Sequence, residues 1–280
     1  MTQVELFDAE LHPLSLRPGD LADLRFFGVA GALAPAGDAP GAATREALHR
    51  SWDALVPGAV GRLRRAGLAG FAAVGIPPRR APWRGLEAVL AELPDYLGRP
   101  HVAALGAVGL EEGGAREEVV FARQLELARD LRLRVAVHTP WRAKERVTRR
   151  ALAILVEARL DPARVLVLRA DARTVRMVRA CGYLASISLS AGGGDPIDEA
   201  VRLVRSLGAD GIALGSGAGD GAGDLLALPR AAGRLAKAGL SPAVVRRVCG
   251  ANALRFLGVE GRVSGSAPAA SARSGRPSSR

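Results

Sequence analysis

Several residue types that mark particular protein classes are scarce in this 280-residue chain. It has two cysteines, Cys181 and Cys249, with no partners at metal-ligand spacing, so both are predicted to be reduced, buried thiols. No apolar run reaches the roughly 18 residues that a membrane-spanning helix needs. The N-terminus shows no basic region followed by an apolar stretch, so no secretory signal is predicted. These features together predict a cytoplasmic protein.

Aromatic residues and lysines are also rare, which bears on the meaning of the charge. Aromatics make up 4% of the chain, and Lys144 and Lys237 are its lysines. The formal net charge is +11, and it falls to +7 without four arginines near the C-terminus, which are Arg262, Arg273, Arg276 and Arg280. Nucleic-acid-binding surfaces interleave basic and aromatic residues, and no such cluster occurs here. Nucleic acid is therefore not predicted to be the main partner.

What the chain does contain is a regular alternation of short apolar runs with amphipathic helical patterns. Eight runs predict β-strands, at residues 4–11, 29–34, 70–76, 102–110, 133–138, 164–168, 183–189 and 211–214. Helices are predicted between them, at residues 43–66, 85–97, 117–131, 145–160, 172–180, 196–207, 225–238 and 243–257. This pattern predicts an α/β protein with a single (β/α)8 TIM barrel. An open doubly wound sheet is the alternative, but the turn after the first strand lacks the glycines of a phosphate loop.

The predicted barrel spans residues 1–258. The remaining residues, 259–280, consist mostly of Gly, Ser, Ala, Pro and Arg, and they lack the apolar content needed to form a packed core. A disordered C-terminal tail is therefore predicted.

The candidate functional residues lie at predicted strand ends, where barrels of this type carry their active sites. Glu10 and His12 are two residues apart at the end of the first strand, so their side chains project to the same side. His138 ends the fifth strand. A carboxylate and imidazoles in one place suit a metal site or a general-base pair. His49 and His101 lie in a helix and just before a strand, and are predicted to be structural or solvated.

Residues 4–258 resemble the TatD-type metal-dependent hydrolases, which are amidohydrolase-like barrels, in the order and spacing of several short motifs. The resemblance rests on Asp8-Ala9-Glu10-Leu11-His12, on residues 106–110, on residues 137–140 with Lys144, on residues 216–229, and on Asn252 with Phe256. It implies one or two divalent metals that activate a water for attack on a phosphoester or amide-type bond. The implied metal ligands are histidines on strands one, five and six and carboxylates on strands four and eight.

Carried onto this chain, the implied ligand set is incomplete. The first histidine of strand one is replaced by Glu10, the strand-four glutamate by Ala107, and the strand-six histidine by Arg169. The strand-eight aspartate would fall at residues 217–219, which hold no carboxylate. The resemblance therefore implies a single zinc or manganese ion at most, or none, and the ligands that remain for it are Glu10, His12 and His138.

Two hypotheses follow from the opposite charges of Glu10 and Arg169. In one, the two side chains form an ion pair that replaces the metal, and the barrel has a non-catalytic binding or regulatory role. In the other, Glu10 is a metal ligand and Arg169 contacts the phosphate of a small phosphoester substrate. The predicted catalytic residues are Glu10, His12, His138 and Arg169, and the predicted substrate-binding residues are Lys144 and Asp220. Glu111 and Glu112 are predicted to lie on the loop surface.

Overall fold

Eight parallel strands form the centre of the fold, and each strand pairs with the next one along the chain. The structure, a computed structural model, describes residues 5–37, 43–82, 84–190, 194–221 and 223–260. The strands are β1 (Leu6–Asp8), β2 (Val29–Pro35), β3 (Ala69–Val74), β4 (Val102–Gly109), β5 (Val135–His138), β6 (Val165–Ala170), β7 (Leu184–Ser188) and β8 (Ile212–Gly215).

Backbone hydrogen bonds also join the last strand to the first. The N–H of Ala9 donates to the carbonyl of Leu214 at 3.2 Å, and the N–H of Gly217 donates to the carbonyl of Glu10 at 2.9 Å. The sheet is therefore a nearly closed barrel. All eight predicted strands and the predicted (β/α)8 barrel are confirmed.

Helices surround the barrel and connect its strands. They are α1 (Pro18–Phe26), α2 (Arg45–Asp53), α3 (Gly61–Arg65), α4 (Leu86–Leu97), α5 (Ala115–Asp130), α6 (Lys144–Glu157), α7 (Val175–Ala180), α8 (Pro196–Leu207), α9 (Ala227–Lys237), α10 (Pro242–Arg246) and α11 (Asn252–Leu257). Every predicted helix has a counterpart among them. Helix α8 has the predicted bounds, and its N-terminus is capped by Asp195, whose side chain accepts from the N–H of Ile197 at 2.9 Å.

Two predicted helices are interrupted by π-helical turns. The segment Ala54–Val60 separates α2 from α3, and Arg247–Ala251 separates α10 from α11. Pro57 lies inside the first of these turns. A proline has no N–H to donate and its ring crowds the preceding turn, so the regular α-helical ladder is broken there. Apolar spacing does not reveal such a break because the helix axis continues through it.

Helix α1 has no counterpart among the predicted helices. It is nine residues long, and its buried apolar side chains are those of Leu21 and Leu24. Too few apolar positions repeat in it to produce a visible period. Its start does carry a local signal, because Pro18 is the first helical residue and the Asp20 side chain accepts from the N–H of Arg17 at 2.7 Å.

Apolar side chains fill two layers. Inside the barrel, Phe7, Leu33 and Leu168 pack with several alanines. Between the barrel and the helices lie larger side chains, including Trp52 and Phe121, both fully buried. Burial of one such side chain contributes about 1.5–3 kcal/mol, so this outer layer supplies much of the stability of the domain.

The packed domain extends slightly beyond its predicted end. Val259 is 6% exposed and its N–H donates to the carbonyl of Leu254 at 3.2 Å, so it belongs to the barrel and not to the predicted tail. Residues 261–280, which make up most of that tail, lie outside the described residues. No helix in the described ranges is long and apolar enough to cross a membrane.

Candidate functional site

A cavity of about 580 Å3 opens at the C-terminal ends of the strands. This volume is typical of a small-molecule site. The cavity, called the mouth cavity below, is lined by polar residues that include His12, Ser15, Ser51, Arg79, Arg80, Glu111, His138, Arg169 and Asp220. Its apolar walls include Leu14, Leu55 and Trp141. Three of the four predicted catalytic residues line it, and the fourth, Glu10, contacts two of them.

Arg169 is the centre of a first charged cluster in the mouth. Its Nε donates to Oε1 of Glu10 at 2.8 Å, and its Nη2 donates to Oδ2 of Asp220 at 2.5 Å. Nε2 of His12 lies 3.4 Å from the same oxygen of Glu10. Arg169 is 8% exposed and Glu10 is 2% exposed. The predicted ion pair between Glu10 and Arg169 is therefore present, and it is buried.

The charges of this cluster hold each other in their ionised forms. Burial raises the pKa of Glu10, but the Arg169 guanidinium and the His12 ring outweigh burial and hold that pKa well below its usual range. Burial lowers the pKa of Arg169, but Glu10 and Asp220 outweigh it and raise the pKa above its usual value. At neutral pH the pair consists of a carboxylate and a guanidinium.

A second charged cluster joins His138 to Glu111 and Arg79. Nε2 of His138 lies 2.7 Å from Oε2 of Glu111, and the guanidinium of Arg79 forms an ion pair with the other oxygen. Burial raises the pKa of Glu111, but His138 and Arg79 lower it to about 2. The prediction that Glu111 lies on the loop surface is wrong, because its side chain is 10% exposed.

Gly109 allows the ends of β4 and β5 to lie close together. Gly109 is paired with His138 across β4 and β5, and it has a φ of +149°. A Cβ at this position would lie 2.4 Å from the carbonyl oxygen of His138. Only glycine fits this approach, which brings Glu111, two residues further on, to the imidazole.

Lys144 and Trp141 lie on and beside the loop that follows β5. Lys144 is 4% exposed, and its Nζ donates to Oγ1 of Thr139 at 3.2 Å and to the carbonyl of Pro140 at 3.0 Å. Burial lowers the pKa of Lys144 to about 8. Its ammonium lies 4.9 Å from the centre of the Trp141 ring, and Cζ of Arg169 lies 5.2 Å from the same centre. Lys144 thus fixes this loop, and its predicted contact with a substrate stays a prediction.

Asp8 lies beneath the first cluster and had no assigned role in the sequence. It is fully buried, and its Oδ1 accepts from the N–H of Glu10 at 3.0 Å and from the N–H of Ser216 at 2.9 Å. These bonds tie the end of β1 to the end of β8. Its Oδ2 has no hydrogen-bond partner among the described residues. Burial raises the pKa of Asp8 to about 6, although its hydrogen bonds lower it.

Comparisons with known proteins give this arrangement a context. No family model matches the chain. A Methanocaldococcus jannaschii protein named as an uncharacterized metal-dependent hydrolase is 28% identical over 231 residues, which cover 80% of this chain and 88% of that protein. A TatD-like protein of Archaeoglobus fulgidus has a TM-score of 0.76 at 23% identity, with 90% of this chain and 100% of the other covered. This chain is therefore similar in sequence to a protein named as a metal-dependent hydrolase, and it shares its barrel fold with a TatD-like protein.

Two Escherichia coli structures share the fold of this chain at lower identity. A phosphotriesterase homology protein, solved with phosphate in its active site, has a TM-score of 0.71 at 16% identity, covering 92% of this chain and 100% of the other. A TatD homologue has a TM-score of 0.66 at 16% identity, covering 91% and 98%. Likeness at this identity shows a common barrel architecture.

The Methanocaldococcus jannaschii protein is named as metal-dependent, and the mouth of this chain does not fit a divalent metal. Oε1 of Glu10 already accepts from the Arg169 guanidinium, and a fixed cation at that position repels a dication. His138 contacts Glu111, and Ala107 contributes only a methyl group to the barrel interior. Within residues 5–260, apart from the few undescribed positions, no three or more His, Cys, Asp or Glu side chains form a group that could hold a metal ion.

Asp8 should make the stability of this protein fall as the pH rises from about 4 to 7. Its pKa is 3.8 when unfolded and about 6 when folded, so the folded state holds the proton more tightly. The stabilisation is fully present below pH 3.8 and is lost as the pH rises through 6, with a total of about 3 kcal/mol.

Urea unfolding of the wild type and of Asp8→Asn between pH 4 and 7.5 checks this expectation. The difference in the free energy of unfolding between the two proteins should change across that window in favour of the variant. Parallel pH profiles for the two proteins would show that Asp8 does not titrate there.

Proposed function

We propose that this protein is a TatD-type barrel that uses its mouth cavity as a metal-free site for a small polar ligand, with the Arg169 guanidinium in the place of the metal. The observation that supports this most directly is the 2.8 Å hydrogen bond from Nε of Arg169 to Glu10. A guanidinium held by a buried carboxylate supplies fixed positive charge where a metal-dependent relative has a cation. In this proposal the barrel supplies the cavity, and Arg169 supplies its positive charge.

The ligand proposed for the mouth cavity is a small phosphoester. Arg79 and Arg80 line the cavity together with Arg169, and guanidinium groups bind phosphate oxygens in a bidentate fashion. Glu111 and Asp220 lie beside them as acceptors for hydroxyl groups of the same ligand. The phosphate named in the active site of the Escherichia coli phosphotriesterase homology protein supports this ligand class.

A single-metal hydrolase is the second candidate, and the name of the Methanocaldococcus jannaschii protein, a metal-dependent hydrolase, favours it. Its ligands would be Glu10, His12 and His138, and Arg169 would hold the substrate phosphate. The 3.4 Å distance between Nε2 of His12 and Oε1 of Glu10 supports this arrangement, because it places two ligand atoms side by side. The guanidinium bound to Glu10 opposes it, because the same oxygen would have to serve the metal.

Metal content separates the two candidates. Protein purified without chelators should contain less than about 0.1 equivalents of zinc or manganese per chain by mass spectrometry of the elements. It should also leave bis(p-nitrophenyl) phosphate intact after addition of either ion. The matched control is His138→Ala, which should have the same metal content as the wild type. About one equivalent of metal in the wild type, lost in His138→Ala, would establish the hydrolase candidate instead.

A further inference from the structure

A second cavity, of about 520 Å3, lies at the opposite end of the barrel from the mouth. It is formed by the start of β4, the segments that lead into β4 and β5, and the end of α11. Phe71 and Ala104, which pack in the barrel interior, form its apolar floor. Its other apolar residues are Leu97, Val102, Ala103, Leu133, Leu257 and Val259. We call it the base cavity. Its volume is in the range of small-molecule sites.

The base cavity carries basic side chains without acidic partners. His101, Arg132 and Arg134 line it, and no Asp or Glu does. The side chains of Arg132 and Arg134 form no hydrogen bond or ion pair with any residue in the described part of the chain. In the mouth, by contrast, Arg79 and Arg169 are each paired with a carboxylate. Arg132 and Arg134 therefore carry positive charges that no carboxylate among the described residues pairs with.

Neighbouring charges add to the positive potential of the base cavity. Burial and the guanidinium of Arg164 lower the pKa of Arg134. Burial and the guanidinium of Arg64 lower the pKa of His101. In both cases the neighbouring charge is positive. An anion bound in the base cavity would therefore reduce the repulsion between these like charges.

The end of α11 leaves room for one of these guanidinium groups. Gly258 has a φ of +65°, and a Cβ built on it would lie 2.1 Å from Nη2 of Arg134. The absence of a side chain at residue 258 thus allows the Arg134 guanidinium to lie against the end of α11.

We propose that the base cavity binds a small molecule that joins a phosphate group to an apolar or aromatic group. Arg132 and Arg134 bind the phosphate, because two unpaired guanidinium groups match its oxygens and charge. The apolar part packs on Phe71 and Leu257. This site is separate from the mouth cavity, so it stands whether or not the mouth holds a metal.

Calorimetric titration of the full chain with phenyl phosphate, phenol and inorganic phosphate tests the proposal. Phenyl phosphate should bind at least about tenfold more tightly than phenol, which lacks the charge, and more tightly than inorganic phosphate, which lacks the ring. Arg132→Gln and Arg134→Gln should each weaken phenyl phosphate binding by at least about tenfold. Arg202→Gln, an exposed α8 residue that lines neither cavity, is the matched control and should leave it unchanged.

Backbone amide chemical shifts in the wild type locate the site without any variant. Phenyl phosphate should shift the amides of residues 101–104 and 132–134. Shifts confined to the mouth, at residues 138–144 and 219–220, would overturn the proposal. It would also be overturned by equal affinity for phenol and phenyl phosphate, by equal affinity for inorganic phosphate, by no binding, or by unchanged binding in both arginine variants.

Discussion

Replacing Glu10 by Gln should lower the free energy of unfolding at pH 7 by about 3–5 kcal/mol. Glu10 is the buried partner of Arg169, and its loss leaves a guanidinium that is 8% exposed without its main counter-charge. Asp220 still contacts that guanidinium, but its own side chain is half exposed. Urea denaturation followed by circular dichroism measures the change.

Two further variants distinguish the cost of an unpaired charge from the cost of a lost contact. Asp220→Asn removes the exposed partner and should cost less than about 1 kcal/mol. Glu10→Gln combined with Arg169→Met removes both buried charges, and should restore part of the stability that Glu10→Gln loses, since a buried ion pair is often replaceable by apolar side chains. An equal cost for Glu10→Gln and Asp220→Asn would contradict the view that burial decides the energy of this cluster.

The pH dependence of the Glu10 effect has a definite direction. Because the folded-state pKa of Glu10 lies below its ordinary value of 4.5, its stabilisation is fully present above pH 4.5 and is lost as the pH falls further. The difference between wild type and Glu10→Gln should therefore shrink in acid. Asp8 acts in the opposite direction between pH 3.8 and 6, so the two contributions are separable in one titration.

The strands of this protein are predictable from sequence for a physical reason. Strands of a parallel barrel are buried on both faces. Their sequences are therefore nearly continuous apolar runs, as in β5 and β6. Helix α1 buries only two apolar side chains and produces no such pattern. The break at Pro57 depends on backbone hydrogen bonding, which apolar spacing does not report.

The first charged cluster is also accessible from sequence, and the second is not. Period-two geometry brings Glu10 and His12 together, and the convergence of strand ends brings Arg169 to them. Glu111 lies in the loop after β4, and Arg79 lies in the short 3-10 helix Pro78–Arg80 after β3. Their meeting with His138 depends on the close approach at Gly109, which is a tertiary contact without a local signature.

Introducing two of the ligands that the TatD resemblance implies should give the protein a zinc site. Arg169→His combined with Ala107→Glu should raise zinc affinity at least about 100-fold over the wild type. A unit charge and a dication about 4 Å apart repel by about 8 kcal/mol at an effective dielectric constant of 20, so removal of the guanidinium alone lifts a large barrier. The new imidazole and carboxylate then join Glu10 and His12, which already lie 3.4 Å apart.

Arg169→Gln is the matched control, because it removes the cation without adding a donor. Competition with a chromophoric chelator should give zinc affinities that rise from the wild type to Arg169→Gln and again to the double variant. Zinc should also raise the unfolding temperature of the double variant, because a ligand that binds the folded state stabilises it by mass action. If the wild type bound zinc as tightly as the double variant, the guanidinium would not occupy the place of the metal, and Glu10 would be free to act as a ligand beside it.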